Sequence, residues 1–329
     1  MAECVLHVGF GKTGTSALQT HLSRHPELGT PRGHHYVVVD GAGAVVAGDQ
    51  VRARAAGGSF PYVASVPDLW GRDDLEAIGG KLQAVGRRGV PVLSQEDWGR
   101  TGRRCADERA LERMGVQAHV VAYVRPQIEW FNSGWWQWWT WQEQFDTPAD
   151  VLEKWRTRFL WWRRQLDRWA GNPNVSRLTV RLYRRNTIPD FLQLMGADGE
   201  VPAGDNVVNA SLAPLHIQIL KSVSHLRGPH NPQFDWVLQQ CLPSAESAPW
   251  ALEPRIMQAI VDGCRQDNER LLELLSPEDA DEMRRDQRWW SSEPYRDRAV
   301  ATDDELQATP AELVRAVEAL LRMAAGVRR

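Results

Sequence analysis

The sequence predicts an α/β protein with a central parallel sheet flanked by helices, followed by a mainly helical C-terminal part. Three observations lead there. Short apolar runs alternate with helical patterns over about the first 195 residues, and such alternation builds a parallel sheet covered by helices. Glycine-rich or charged segments follow those runs directly, at the strand ends where such sheets hold ligands. Beyond that region almost every pattern has a helical period. With no internal repeat and no low-complexity linker, a single domain over 1–329 is expected, its α/β core over about 1–195 and its helical part over about 196–329.

Taken in order, Val5 to Val8 reads as a buried strand that ends in Gly9-Phe10-Gly11-Lys12-Thr13-Gly14-Thr15-Ser16. Ala17, Leu18, His21 and Leu22 then share one helical face. His35 to Val39 and Ala44 to Ala47 flank Asp40-Gly41-Ala42-Gly43 as a hairpin. Asp73 to Arg87 is helical, with Asp73 as cap and Leu75, Ile78, Leu82 and Val85 on one face. Val90 to Leu93 is the next strand and delivers Ser94-Gln95-Glu96; a short helix over Ala106 to Met114 precedes a third strand, His119 to Val124, stopped by Arg125-Pro126. Ile128 to Trp141 and Val151 to Ala170 read as long helices, Ser176 to Tyr183 holds a fourth strand, and Ile188 to Met195 is helical. Later helical patterns cover Leu215 to Leu226, Pro254 to Leu275 and Pro310 to Ala325.

Composition narrows the function classes. A net charge of −3 argues against general nucleic-acid binding, which needs a basic face to displace counterions. No run approaches the roughly 18 apolar residues of a membrane helix, and Met1-Ala2-Glu3-Cys4 lacks a basic leader, so a cytoplasmic protein is expected. Cys4, Cys105, Cys241 and Cys264 lie far apart, which predicts isolated thiols and no metal or disulfide framework.

A strand, a glycine loop and a helix together aim backbone N–H groups at one spot and favour an anion. Lys12 adds charge, and Thr13, Thr15 and Ser16 add hydroxyls. The lysine is misplaced for the nucleoside-triphosphatase pattern GxxxxGK[ST]. Gly9, Gly11 and Gly14 do match the dinucleotide spacing, and Asp40 could hold a ribose, so an NAD(P) oxidoreductase stays open beside a kinase-like phosphotransferase.

Three segments, in order, carry a resemblance. Phe10-Gly11-Lys12-Thr13-Gly14-Thr15-Ser16 resembles the 5′-phosphosulfate loop of sulfotransferases that use PAPS (3′-phosphoadenosine 5′-phosphosulfate). Tyr123-Val124-Arg125-Pro126, with Ser133 eight residues after the arginine, looks like their 3′-phosphate motif. Val92-Leu93-Ser94-Gln95-Glu96 is similar to the Ser-x-Glu strand end of bacterial carbohydrate-type members. The resemblance covers about the first 195 residues and implies a P-loop NTPase-like sulfotransferase fold, with PAPS as co-substrate, PAP as product and no metal. Gly11 to Ser16, Arg125, Ser133 and Tyr183 would hold the nucleotide, Lys12 would meet the leaving oxygen, and Glu96 would be the base. Asn206 to Ser211 resembles a lid-like loop of the family.

Each residue also has a plainer reading. Arg125 suits a phosphate as a guanidinium fork, or is a solvated strand-end charge, and Ser133 a packing residue. Tyr183 could equally pack. Glu96 could be salt-bridged or a helix cap, and His7, His21 and His119 are rival bases, His7 and His21 being expected to be buried. Asp97 should point away from Glu96. Arg181, Arg184 and Arg185 read as solvated surface.

Of 16 tryptophans, ten fall between Trp130 and Trp169. At a period of 3.6, Trp130, Trp135, Trp136, Trp138, Trp139 and Trp141 occupy all sides of one helix. Some should therefore be exposed, or shielded by Trp155, Trp161 and Trp162 on the next helix. Packing between helices accounts for most of them. An aromatic groove for a small-molecule or carbohydrate acceptor, or a protein interface such as that of a homo-oligomer, would account for the rest.

Overall fold

The structure is a computed structural model that describes residues 2–184, 186–197, 212–228, 233–244, 246, 248–302, 306 and 308–324. The lid-like segment 206–211 and Arg185 lie outside the described residues. The chain divides into two compact units: Met1–Arg125, Trp161–Asn209 and Gln266–Arg285 form one; Pro126–Leu160, Ala210–Arg265 and Asp286–Arg329 form the other. The helical unit thus takes a segment from the middle of the chain as well as residues beyond the expected boundary at about 195.

The first unit is built on a six-stranded sheet of β1 (Ala2–His7), β2 (His35–Val39), β3 (Val45–Ala47), β4 (Pro91–Ser94), β5 (Val116–Val124) and β6 (Val175–Leu182). Their order is β3-β2-β4-β1-β5-β6, parallel except for the β2–β3 hairpin. Its α-helices are α1 (Thr15–Arg24), α2 (Asp49–Gly57), α3 (Leu75–Gly86), α4 (Trp98–Asp107) and α5 (Ala110–Arg113). The α/β class and the parallel sheet agree with expectation.

β1 is buried in the middle of the sheet. Val5 shares one face with Val92, Val121 and Tyr123, beneath Leu18 and Leu22 of α1 and Ile188 and Phe191. By the period-two alternation of a strand, Cys4 and Leu6 of β1 serve the other face. Burial of Cys4 and Cys105 raises both thiols to about 12, which makes them inert packing groups. No disulfide joins any of the four cysteines.

The second unit begins with α6 (Gln127–Gly134), which widens into a π-helical turn over Trp135–Trp139 and is followed by α7 (Pro148–Trp155). The expected single helix over Val151 to Ala170 is broken. Arg156 adopts a left-handed φ of 52°, a 3-10 turn covers Arg158–Leu160, and α8 (Trp162–Ala170) belongs to the sheet unit. The sheet unit also holds α9 (Thr187–Leu194). The three helical patterns expected near the C-terminus become α10 (Pro214–Ser222), α12 (Pro254–Leu271) and α14 (Pro310–Ala324); α11 (Gln233–Cys241) and α13 (Pro277–Arg285), the latter in the sheet unit, fall outside those patterns. Among the described residues no helix is long and apolar enough to cross a membrane.

The tryptophans of α6 and the π turn are mainly core. Trp130, Trp135, Trp136 and Trp139 are buried, whereas Trp138 and Trp141 are half-buried. The i→i+5 bond from Thr140 N–H to the Trp135 carbonyl changes the angular spacing of the rings, so the 3.6 period does not place them. Trp139 packs on Phe131, Trp155 and Phe159 at centroid distances of 4.9, 6.1 and 5.6 Å. The expected shielding by Trp155 is present; Trp161 and Trp162 lie in the sheet unit instead.

Candidate functional site

The parallel register brings four strand ends to one edge of the sheet. His7 pairs with Ser94 of β4 and with Val121 of β5, and Val124 pairs with Leu182 of β6. Bonds just beyond the strands continue that alignment: Val8 N–H donates to Val121 O at 3.0 Å, Gln95 N–H to His7 O at 3.1 Å, and Tyr183 N–H to Val124 O at 2.7 Å. The glycine loop, Glu96, Arg125 and Tyr183 follow from β1, β4, β5 and β6.

The loop is held from below by Phe10. Its ring is fully buried and packs on Trp162 at 4.8 Å, while Trp162 Nε1 donates to the Arg125 carbonyl at 3.0 Å. Gly9 has a φ of +63°, and a Cβ there would stand 2.6 Å from the Glu96 Cα, so glycine is required twice over. Gly14, at φ +82°, caps α1 and leaves room for Tyr183 and Thr187, which a Cβ would meet at 3.1 and 2.8 Å. Lys12 also has a left-handed φ, 66°, without being glycine. Such strain gathers where a backbone must aim its groups. The first N–H groups of α1, from Thr15, have no acceptor within the helix and carry its positive end.

Arg125 closes this side. Its Nη1 donates to the Lys12 carbonyl at 3.0 Å and its guanidinium lies 5.3 Å from the centre of the Tyr183 ring. The strand-end arginine is thus half-buried and tied to the loop. Tyr183 packs, as its plainer reading had it, and packs between the loop glycine and the arginine.

Glu96 lies against Gly9. Among the described residues it has no hydrogen-bond or ion-pair partner, which removes the capped and salt-bridged readings. Burial pushes its carboxyl up to about 7 and the Asp97 charge adds to the rise, while Lys12 and Arg100 pull the other way. A carboxyl with that pKa can change protonation state near neutrality. Asp97 is exposed at the N-cap of α4.

Other expectations change. The Thr13 and Thr15 hydroxyls donate back to the Phe10 carbonyl, so they brace the loop with the one proton each could offer an anion. Ser16 sits in the first turn of α1, half-buried. Ser133 lies on α6 in the second unit, half-buried. Burial lowers His7 to about 3, and its Nδ1 meets Ser94 Oγ at 2.8 Å. His119 is lowered to about 4, first by burial, and bonds Thr179 Oγ1 at 2.8 Å. His7 is thus locked neutral inside the fold and His119 engaged in mid-strand.

Arg181 and Arg184 are not solvated surface. Arg181 pairs with Asp190 at 2.6 Å and Asp279 at 3.1 Å; Arg184 pairs with Asp279 at 2.6 Å and also with Glu282. Asp279, buried on α13, draws both cations inward. Asp40 is likewise committed, accepting from the Ala42 and Ala44 N–H groups in the hairpin turn and pairing with Arg54.

Tyr62 and Phe60 escaped the sequence reading because no motif marks the irregular stretch after α2; an aromatic pair around Pro61 was the one available signal. No protein family matches the chain, and no curated protein matches it.

Proposed function

We propose that the chain is a sulfotransferase that moves a sulfuryl group from PAPS to a hydroxyl, or an amine, of a small-molecule or carbohydrate acceptor. The observation that carries this reading is the convergence at one sheet edge of three groups: a strained loop lysine, a guanidinium bonded to that lysine's carbonyl, and a carboxyl raised to about 7. Each falls in a segment that resembles the PAPS-dependent family.

The acceptor oxygen attacks sulfur in line as the bond from sulfur to the bridging phosphate oxygen breaks. Negative charge grows on that departing oxygen, and Lys12 is the cation suited to it. Glu96 takes the acceptor proton. The start of α1 and the loop N–H groups favour the 5′-phosphate. Arg125 selects the 3′-phosphate, and Tyr183 keeps the arginine oriented. No step in this scheme calls for a metal.

The dinucleotide alternative loses its support. Its sheet sets the first and second strands side by side, whereas β4 lies between β1 and β2 and Asp40 is spent on the hairpin.

Titration calorimetry with PAP, AMP, ATP and NAD tests the donor. PAP should bind far more tightly than the others and raise Tm accordingly, by about 2.7 kcal/mol of stabilisation at a hundred times its Kd. Equal affinity for PAP and AMP removes the 3′-phosphate site. Transfer should survive EDTA; strict magnesium dependence favours the kinase-like reading.

A further inference from the structure

The chain between α2 and the 3-10 turn at Leu69–Gly71 has no regular structure, yet it is fastened at many points. Val63 N–H donates to Ser23 Oγ of α1 at 3.1 Å, and its carbonyl accepts from Tyr36 Oη of β2 at 2.7 Å. Ser65 N–H reaches the Ser94 carbonyl at 3.3 Å, and Ser65 O accepts from Gln95 Nε2 at 2.6 Å. Val66 N–H bonds Val39 O at 3.0 Å, and Trp98 Nε1 bonds Pro67 O at 3.2 Å. Two of these bonds come from the two residues just before Glu96. An irregular segment so fixed over strand ends has the form of a binding loop on a rigid scaffold.

It presents two aromatic rings. Phe60 and Tyr62 are both half-buried, with centroids 5.7 Å apart and planes inclined by 34°. The Tyr62 phenol lies within the field of Glu96. Burial first, and then the Glu96 charge, raise its pKa, so it stays a neutral phenol at physiological pH. Glu96 and Asp97 lie on this side, which disfavours an anionic ligand. An uncharged molecule with a flat apolar ring face gains most from two such rings.

We propose that Phe60 and Tyr62 form the acceptor-binding wall, and that it takes an uncharged acceptor whose hydroxyl is carried on a ring with a flat apolar face. This rests on the sulfotransferase reading, which supplies the need for an acceptor beside Glu96. The wall lies in the sheet unit, so acceptor recognition does not depend on the tryptophans of α6. Phenols and pyranosides share the chemistry it recognises. Tyr62 acts by positioning, through its ring stacking on the acceptor.

Calorimetry with 2-naphthol, methyl β-glucopyranoside and glycerol, each without donor, tests the wall apart from catalysis. At least one ring compound should bind the wild-type chain better than glycerol. Phe60→Ala and Tyr62→Ala should each weaken that binding by about tenfold, and Tyr62→Phe should restore it because the ring is kept. PAP affinity should stay at the wild-type value in all three variants, which also reports that the loop is folded. Whichever ring compound binds identifies its class as the source. Ring binding unchanged in both alanine variants, or no ring compound bound above glycerol, overturns the wall. Failure of PAP to bind, with ring binding that still depends on Tyr62, instead overturns the donor reading and leaves the wall standing.

Discussion

At the carboxyl edge of the sheet Lys12 stands in a left-handed conformation, the half-buried Glu96 carboxyl is raised to about 7, and His7 keeps a buried Nε2 without a hydrogen-bond partner among the described residues. The helical unit also holds a strained position, Arg156 at a φ of 52°, but its buried cation is fully matched. Arg227, buried to 2% exposure, bonds Asp235 through Nε at 2.6 Å and Nη2 at 2.8 Å, reaches the Gln137 carbonyl at 2.9 Å and lies 5.1 Å from the centre of the Trp141 ring. Buried Trp139 there packs on Phe131 and Phe159, which also meet each other. The sheet edge gathers three such costs at neighbouring strand ends, whereas the helical unit spends most of its aromatic residues on packing. Unrelieved costs collect where a protein acts, so the sheet edge is the better candidate although the tryptophans are more conspicuous in the sequence. Substitution should therefore separate activity from stability in opposite senses in the two regions.

The largest effect is expected at Glu96. Glu96→Gln should lower kcat by about 10²–10⁴, the usual worth of a general base, and abolish an acidic limb near pH 7 in the rate profile. It should also gain stability in alkaline buffer. A carboxyl whose pKa rises from 4.5 to about 7 on folding stabilises the fold while protonated. That contribution is complete below pH 4.5 and lost as pH climbs through 7. The glutamine variant should thus match wild type at pH 4.5 and exceed it at pH 8 by about 1–2 kcal/mol, with allowance for partial exposure. Denaturation across that range reads the difference. A variant less stable than wild type at pH 8 would make Glu96 structural.

Trp139→Ala should behave in the opposite way. Its ring is buried among Trp130, Phe131, Trp155 and Phe159, so about 3–5 kcal/mol of stability should go. PAP affinity should hold. Trp155→Ala, at 37% exposure, should cost the fold far less. If Trp139→Ala folds normally but loses acceptor affinity, the tryptophans belong to the site. Alanine at half-buried Trp138 or Trp141 should leave acceptor KM unchanged if the Phe60–Tyr62 wall recognises the acceptor.

The strands and the glycine loop were legible because apolar runs and glycines act locally. Glu96 and Arg125 could be placed because each ends such a run. Helix α4 was missed for a physical reason: WGRTGRRCAD carries two glycines and few apolar residues, yet Trp98 and Cys105 are buried, and a Cβ on Gly99 would stand 2.9 Å from the Phe10 ring. Its helicity comes from tertiary packing that overrides propensity. Asp279, the acid that Arg181 and Arg184 share, was invisible because it lies 95 residues beyond Arg184. Tyr62 is placed by bonds from α1, β2 and β4, and no period announces those.

The smallest effect concerns the strain at Lys12, and two substitutions isolate it. Lys12→Ala and Lys12→Gly both remove the ammonium, so both should lose turnover to the same degree, by about 10²–10³. They differ in the Cβ. Alanine keeps it at a φ of 66°, where an L-residue costs about 1–2 kcal/mol. Glycine relieves that cost but loses more freedom on folding, which returns about 0.5–1 kcal/mol. The glycine variant should come out more stable than the alanine variant by about 0.5–1 kcal/mol, measured by denaturation at one pH. Arg125 is what holds the peptide in place, through its 3.0 Å bond to the Lys12 carbonyl. In an Arg125→Ala background the loop is free to relax, so the gap between glycine and alanine should shrink. A gap of the same size there would mean that the glycines of the loop alone impose the conformation, and that the arginine only accepts it.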